Sequence, residues 1–149
     1  MAPLTAPSLA QLINRAARAL ARDADNALKP LGLRYAQVPV LALLHDGAEL
    51  TQKQLAEATG IEQPSMAQLL ARMDRDGLIR RTPHPRDARS QTITLAPGTD
   101  TQLFTAHQHL TALDKRAVAG FTTEEITTLK HLLARLGDNL DRRTDPDQV

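Results

Sequence analysis

Residues 50–89 read LTQKQLAEATGIEQPSMAQLLARMDRDGLIRRTPHPRDAR, and the order of signals along them decides the fold. Thr51 precedes Gln54 by the capping-box spacing, in which a threonine hydroxyl and a glutamine amide satisfy backbone donors that a helix start leaves orphaned. Leu55, Ala56 and Thr59 give the helix that follows one buried side. Gly60 comes where the chain must turn sharply, and glycine accepts a positive φ there at little steric cost. From Ile61 onward, Met66, Leu69, Leu70 and Met73 fall at i, i+3, i+4 and i+7, the stripe of one helical face. Pro64 sits near the first turn, where a missing N–H costs nothing. Ser65, Gln68, Arg72 and Arg75 occupy the opposite face.

Small Ala56 lets these two helices cross closely, and Met66 and Leu69 lie where the second packs back on the first, the geometry of a helix-turn-helix. Gly77 ends the second helix, and Leu78 and Ile79 re-enter the core. Arg80, Arg81 and Thr82 then lead to Pro83-His84-Pro85, which cannot be helical. Beyond it, Gln91 to Leu95 reads as a short half-buried strand, with β-branched Thr92, Ile93 and Thr94. The result is a hairpin with a basic tip. The expected fold is mainly α with a small β-hairpin wing, a winged helix-turn-helix.

The run from Leu50 to Leu95 resembles the DNA-binding core of the MarR family of bacterial transcriptional regulators. The likeness extends upstream through Leu31-Gly32-Leu33, Gln37 and Val40-Leu41, and its most recognisable part is the D-x-R pair of the wing, here Asp87-Ala88-Arg89. Two positions depart from the family pattern. Gln68 stands where the family often has an arginine in its recognition helix, so the base preference is not inherited. The wing strand ends in Leu95-Ala96-Pro97-Gly98 instead of L-T-x-x-G, which affects only the approach to the next helix.

The chain has 149 residues, 42% of them hydrophobic, enough for one core, and a single domain over 1–149 is expected. Aromatic residues make up only 2%, so that core must be leucine and alanine packed helix on helix. The absence of cysteine excludes disulfides, thiolate metal sites and the cysteine-based redox sensing that some members of the family use. No apolar run approaches the ~20 residues of a membrane span, and the N-terminus lacks the pattern of a secretory signal, so no membrane association and a cytoplasmic location are expected. Net charge is only +1. Its distribution matters more: Arg72 to Arg89 holds six arginines against three aspartates, while the tail from Asp138 to Asp147 is acidic.

Long helices flank the winged core, which spans about 35–97. Leu9, Leu12, Ile13, Ala16, Leu20, Ala24, Ala27, Leu28 and Leu31 keep one stripe, broken off by Pro30 and Gly32. A further helix spans roughly Tyr35 to His45, with Pro39 in its early part. After the wing, Leu103, Phe104, His107, Leu110, Leu113 and Ala117 share one side of a helix that Gly120 ends. The last helix opens with a second capping box, Thr122 and Glu125, and carries Ile126, Leu129, Leu132, Leu133, Leu136 and Leu140. Exposed apolar stripes of this length mark an association surface. Segments of about 7–31 and 100–142 are therefore expected to build a homodimer, as the resemblance also implies, and paired half-sites suit such symmetry.

Catalysis and metal binding find no support in the sequence. His107 and His109 point some 200° apart on a helix and cannot grip one ion. His45, His84 and His131 are scattered, and neither Ser8 nor Ser90 has a histidine nearby in sequence. No enzyme activity, cofactor or metal is expected. As a regulator bound to double-stranded DNA, the chain would present Gln63, Ser65 and Gln68 to base edges and Pro64 to a thymine methyl. Thr51, Lys53, Arg72 and Arg75 would hold phosphates. Arg86, Asp87 and Arg89 lie at the hairpin tip, with Arg89 expected in a minor groove and Asp87 orienting its guanidinium. The resemblance also implies a repressor released by a small aromatic carboxylate or phenolic effector. Arg15, Arg18, Tyr35 and His45 are the candidates to bind it. The alternative is a winged-helix protein-interaction module that has lost DNA affinity.

Overall fold

The computed structural model describes residues 6–142, so the end of the acidic tail lies outside the described residues. The chain divides into two compact units, Met1–Leu113 and Asp114–Val149, with the boundary inside the fifth long helix.

In the first unit, α1 spans Leu9–Leu28. Its start is fixed by a capping box: the Ser8 hydroxyl accepts from the Gln11 N–H at 3.2 Å and the Ser8 N–H donates to Gln11 Oε1 at 2.8 Å. Only the last turns of α1 reach the core, through Ala24 and Leu28, while Leu9, Leu12 and Leu20 stay exposed. A 3-10 turn over Lys29–Leu31 closes it, ending at Gly32 with φ of 69°. The helix expected over Tyr35 to His45 is shorter. It is a 3-10 turn at Tyr35–Gln37, then α2 at Val38–Leu43 with Pro39 in its first turn, then a second 3-10 turn at His45–Gly47. The break comes at Asp46, which takes the left-handed conformation with φ of 59°, a region that aspartate tolerates better than most residues.

β1 is two residues long, Leu50–Thr51; α3 follows at Gln52–Thr59 and α4 at Gln63–Arg75. The predicted capping box of α3 is formed, with Thr51 Oγ1 accepting from the Gln54 N–H at 3.2 Å and Gln54 Oε1 accepting from the Thr51 N–H at 2.9 Å. Gly60 turns the chain with φ of 71°. Met66, Leu70 and Met73 are fully buried against Leu55, Val40, Leu41 and Leu44, so the helix-turn-helix is closed by its own stripe.

β2 runs Ile79–His84 and β3 Asp87–Leu95, and the antiparallel sheet has the order β1-β3-β2. The wing is thus three-stranded instead of a plain hairpin, because Leu50 and Thr51 pair with Ile93 and Thr92. Thr92, a polar residue of the central strand, is buried because it is flanked by Thr51 on one side and Thr82 on the other. β3 also starts earlier than Gln91. Between the pairs Pro83↔Gln91 and His84↔Asp87, β2 advances one residue and β3 four, so Ala88, Arg89 and Ser90 bulge out of the ladder.

α5 spans Thr99–Ala117. Thr99 is buried, and its hydroxyl donates to the Leu78 carbonyl at 3.1 Å, pinning the helix start to the base of the wing. Ala106 reaches the core, with Leu103 and Leu110 against it, whereas Phe104 and His107, expected on the same side, are exposed. The covered line runs through Thr99, Leu103, Ala106, Leu110 and Leu113, one position round the helix from Phe104. Gln102 Nε2 donates to the Leu31 carbonyl at 3.0 Å, tying α5 to the end of α1.

In the second unit, α6 spans Thr123–Asp141, with Thr122 and Glu125 forming the predicted capping box. No residue of α6 is buried in the single chain. Among the described residues, no helix is long and apolar enough to cross a membrane.

Candidate nucleic-acid interface

Because the apolar side of α4 faces the core, its other side is delivered to solvent as one polar face. Ser65, Gln68, Arg72 and Arg75 are all exposed along it, and Pro64 is exposed at its start. The basic residues sit in the last turn, with Arg75 Nε 3.6 Å from Asp76 Oδ1, a solvated pair of little energetic weight.

One ion pair links the wing to this helix. Arg81 on β2 places Nε 3.5 Å from Asp74 Oδ2 on α4, with its side chain only 24% exposed. The sequence offered no sign of this brace, since the two residues belong to different elements and read separately as wing charge and helix charge. A second cross-link joins the starts of α3 and α4: Gln52 Nε2 donates to Gln63 Oε1 at 3.0 Å and approaches the Gln63 backbone carbonyl at 3.5 Å.

Between wing and helices runs a groove of about 440 Å³, into which the bulge of β3 brings Ala88, Arg89 and Ser90 opposite Thr51, Gln52, Lys53 and Gln63. Five residues singled out from sequence or paired with them, Thr51, Lys53, Gln63, Arg89 and Gln52, therefore meet in one concave surface. Gln52, Arg81 and Ser90 escaped the sequence reading. Thr51 is committed to its cap as an acceptor, but its hydroxyl proton stays available to donate.

Asp87 behaves differently from expectation. Its Oδ1 accepts the backbone N–H of Arg89 at 2.9 Å, and among the described residues it forms no ion pair. The carboxylate shapes the bulge and leaves the Arg89 guanidinium unrestrained, because a residue two positions ahead offers its backbone more readily than its side chain. Arg86 sits at the tip in a neighbouring hollow with His84, Glu49 and Gln54, and its N–H donates to His84 Nδ1 at 3.1 Å.

The four effector candidates do not converge. His45 lines a cavity of about 290 Å³ with Val38, Ala42, Leu103, Phe104, His107 and Leu110. Arg15, Arg18 and Tyr35 are not among its walls; the two arginines lie exposed on α1, and the Tyr35 N–H donates to Asp25 Oδ1 at 2.7 Å. His45 is held between two carboxylates, its Nδ1 3.0 Å from Asp100 Oδ1 and its Nε2 3.2 Å from Asp46 Oδ1. His107, absent from the predicted set, shares the cavity. Among the described residues, no group of three acidic, histidine or cysteine side chains is placed to hold a metal.

Comparison with known proteins agrees with this architecture. Residues 31–90 match the model of the MarR family. A mutant of MarR from E. coli, crystallised in complex with operator DNA, shares 26% identity over 86% of this chain and 92% of its own, with a TM-score of 0.79. The transcriptional repressor CouR, bound to a 23-mer DNA duplex, is 25% identical over 87% of this chain and 92% of its own, again at 0.79. A probable transcriptional regulator from Pseudomonas aeruginosa is 26% identical over 87% and 96% of the two chains, with a TM-score of 0.78. With the helix-turn-helix, the three-stranded wing and the D-x-R bulge all in place, residues 31–90 carry the winged helix-turn-helix of the MarR family, and the chain as a whole shares the fold of its solved members.

Proposed function

We propose that the protein is a sequence-specific DNA-binding transcriptional regulator, a ligand-responsive repressor that binds a near-palindromic operator as a homodimer and acts in the cytoplasm without enzymatic activity. The observation that carries this reading is the shared groove in which the bulged Arg89 faces the start of α4. A helix laid in a major groove with its first residues on base edges has its flanking hairpin beside the adjacent backbone and minor groove. Gln63, Ser65 and Gln68 then face bases and Pro64 a thymine methyl. Thr51, Lys53, Arg72 and Arg75 hold phosphates, and Arg86 and Arg89 serve the wing. Related folds crystallised on DNA support the assignment.

The homodimer is supported by the exposed apolar residues Leu9, Leu12 and Leu20 of α1, Phe104 of α5 and Leu129, Leu132, Leu133 and Leu140 of α6. In this reading, residues of about 35–97 read DNA, and those of about 7–31 and 100–142 pair the protomers within one functional domain. Its symmetry calls for two half-sites separated by roughly one helical turn, ~10 base pairs centre to centre. The cavity beside His45 and His107 is the pocket for an aromatic carboxylate or phenolic effector, because its walls are otherwise apolar.

The test is selection of bound fragments from random duplex DNA by the purified protein, followed by titration of the selected operator. A near-palindromic consensus is expected; failure to enrich any sequence would favour the interaction-module reading. Arg89→Ala is then expected to weaken operator binding and lower the salt slope by about one counterion. Its thermal midpoint should stay near wild type. Binding curves for wild type and Arg89→Ala that superimpose at every salt concentration would remove Arg89 from the interface.

A further inference from the structure

We infer that Gln52 is a positioning residue for base reading, holding the Gln63 side-chain amide in an orientation that selects adenine. The inference rests on the DNA-reading function proposed above and adds a residue and a base to it.

The orientation follows from one acceptor that cannot change its role. The outer end of Gln52 faces two oxygens of Gln63, the side-chain Oε1 at 3.0 Å and the backbone carbonyl at 3.5 Å. A backbone carbonyl only accepts, so the end of Gln52 that faces it must be the NH2 group. The Gln63 atom facing the same NH2 must in turn be its oxygen. Two amides that would otherwise be free to exchange nitrogen for oxygen are thereby fixed relative to each other.

What remains of Gln63 is then defined. Its Oε1 has two acceptor positions, one of them used by Gln52, and its own NH2 has no partner among the described residues. Gln63 therefore offers one donor and one acceptor side by side. That pair complements N7 and the N6 amino group of adenine in the major groove, whereas guanine presents two acceptors at the same places and leaves the amide oxygen unmatched. The location suits a base reader, since Gln63 is exposed at the first position of α4, and both glutamines line the groove that Arg89 enters. Gln52 is half-buried and set one turn back, where it steers its partner.

The experiment is selection from a randomised duplex library with the full chain as wild type, Gln52→Ala, Gln63→Ala and the double variant, alongside thermal melts. Wild type should enrich adenine at one position of each half-site. Gln63→Ala should lose that preference by roughly 5- to 150-fold, the range of a bidentate contact. Gln52→Ala should weaken preference at the same position and no other, with an unchanged melting temperature, and should change nothing further when added to Gln63→Ala. Gln52→Asn, which keeps the amide on a shorter stem, should restore part of the preference if orientation is what Gln52 supplies. If Gln52→Ala leaves the profile unchanged, or weakens all positions equally, the positioning role is overturned while DNA reading stands. A base other than adenine at the Gln63-dependent position overturns the assigned specificity. No enrichment by wild type overturns both.

Discussion

α4 and α6 carry the same kind of pattern and meet opposite fates. Met66, Leu70 and Met73 on α4 are each 0% exposed, while Leu129, Leu132, Leu133 and Leu140 on α6 are 40–60% exposed in the single chain. Periodicity tells which side of a helix wants cover; it is silent on who supplies the cover. For α4 the cover is intramolecular, from α2, α3 and the base of the wing, and the polar side is left free for a partner. For α6 the apolar side is the free one. One helix belongs to the folded core, and the other carries the surface that the proposed dimer would cover.

That contrast can be broken most severely on α6. Leu132→Asp combined with Leu136→Asp places charges where the dimer needs apolar surface, at a cost of several kcal/mol. The expected outcome is a monomer by light scattering at micromolar concentration, against a dimer for wild type. A monomeric wild type would refute the dimer outright. Next in size is Leu70→Ala, which empties a fully buried site and should lower stability by about 2–5 kcal/mol in chemical denaturation. Its loss should be the same at every protein concentration. Leu132→Ala sharpens the comparison, because its effect should depend on concentration, as mass action requires of a residue covered only by a partner. Equal, concentration-independent losses for both leucines would show that α6 is covered within its own chain. The smallest effect belongs to Asp74→Asn, which removes the partner of Arg81: about 0–1 kcal/mol of stability, with a modest loss of operator affinity as the wing loosens against α4.

Local rules made much of the winged core legible. The cap at Thr51, the turn at Gly60 and the stripe from Met66 to Met73 depend on neighbours within a few residues, and all were readable, as was the cap at Thr122 outside the core. What escaped notice depends on distance in the chain. β1 is two residues long, too short to show alternation, and exists only because Ile93 and Thr92 arrive beside it. Gln52 and Gln63 are eleven positions apart, and His45 and Asp100 are separated by 55. Phe104 illustrates a subtler limit: it lies next to the covered line of α5, but small Ala106 takes the inward place, and a hydrophobicity pattern favours the larger residue. The candidate interface was legible as a list of exposed residues on α4 and the wing, but the Asp87 bond to the Arg89 backbone and the bulge that aims Arg89 were not.

The sheet has a consequence for how copies of this protein meet. A strand at the rim of a sheet is an open template for another chain, and crowding many regulators on one stretch of DNA would bring such templates together. Here one rim is β1, only two residues long, and the other is β2, where Pro83 has no N–H to lend and exposed Arg80 repels its own kind. Both rims are poor templates for extension. In the dimer proposed above, self-association would fall to helical surfaces, where a two-fold contact closes on a pair, and the sheet rims would not add a second, open-ended contact between dimers on DNA.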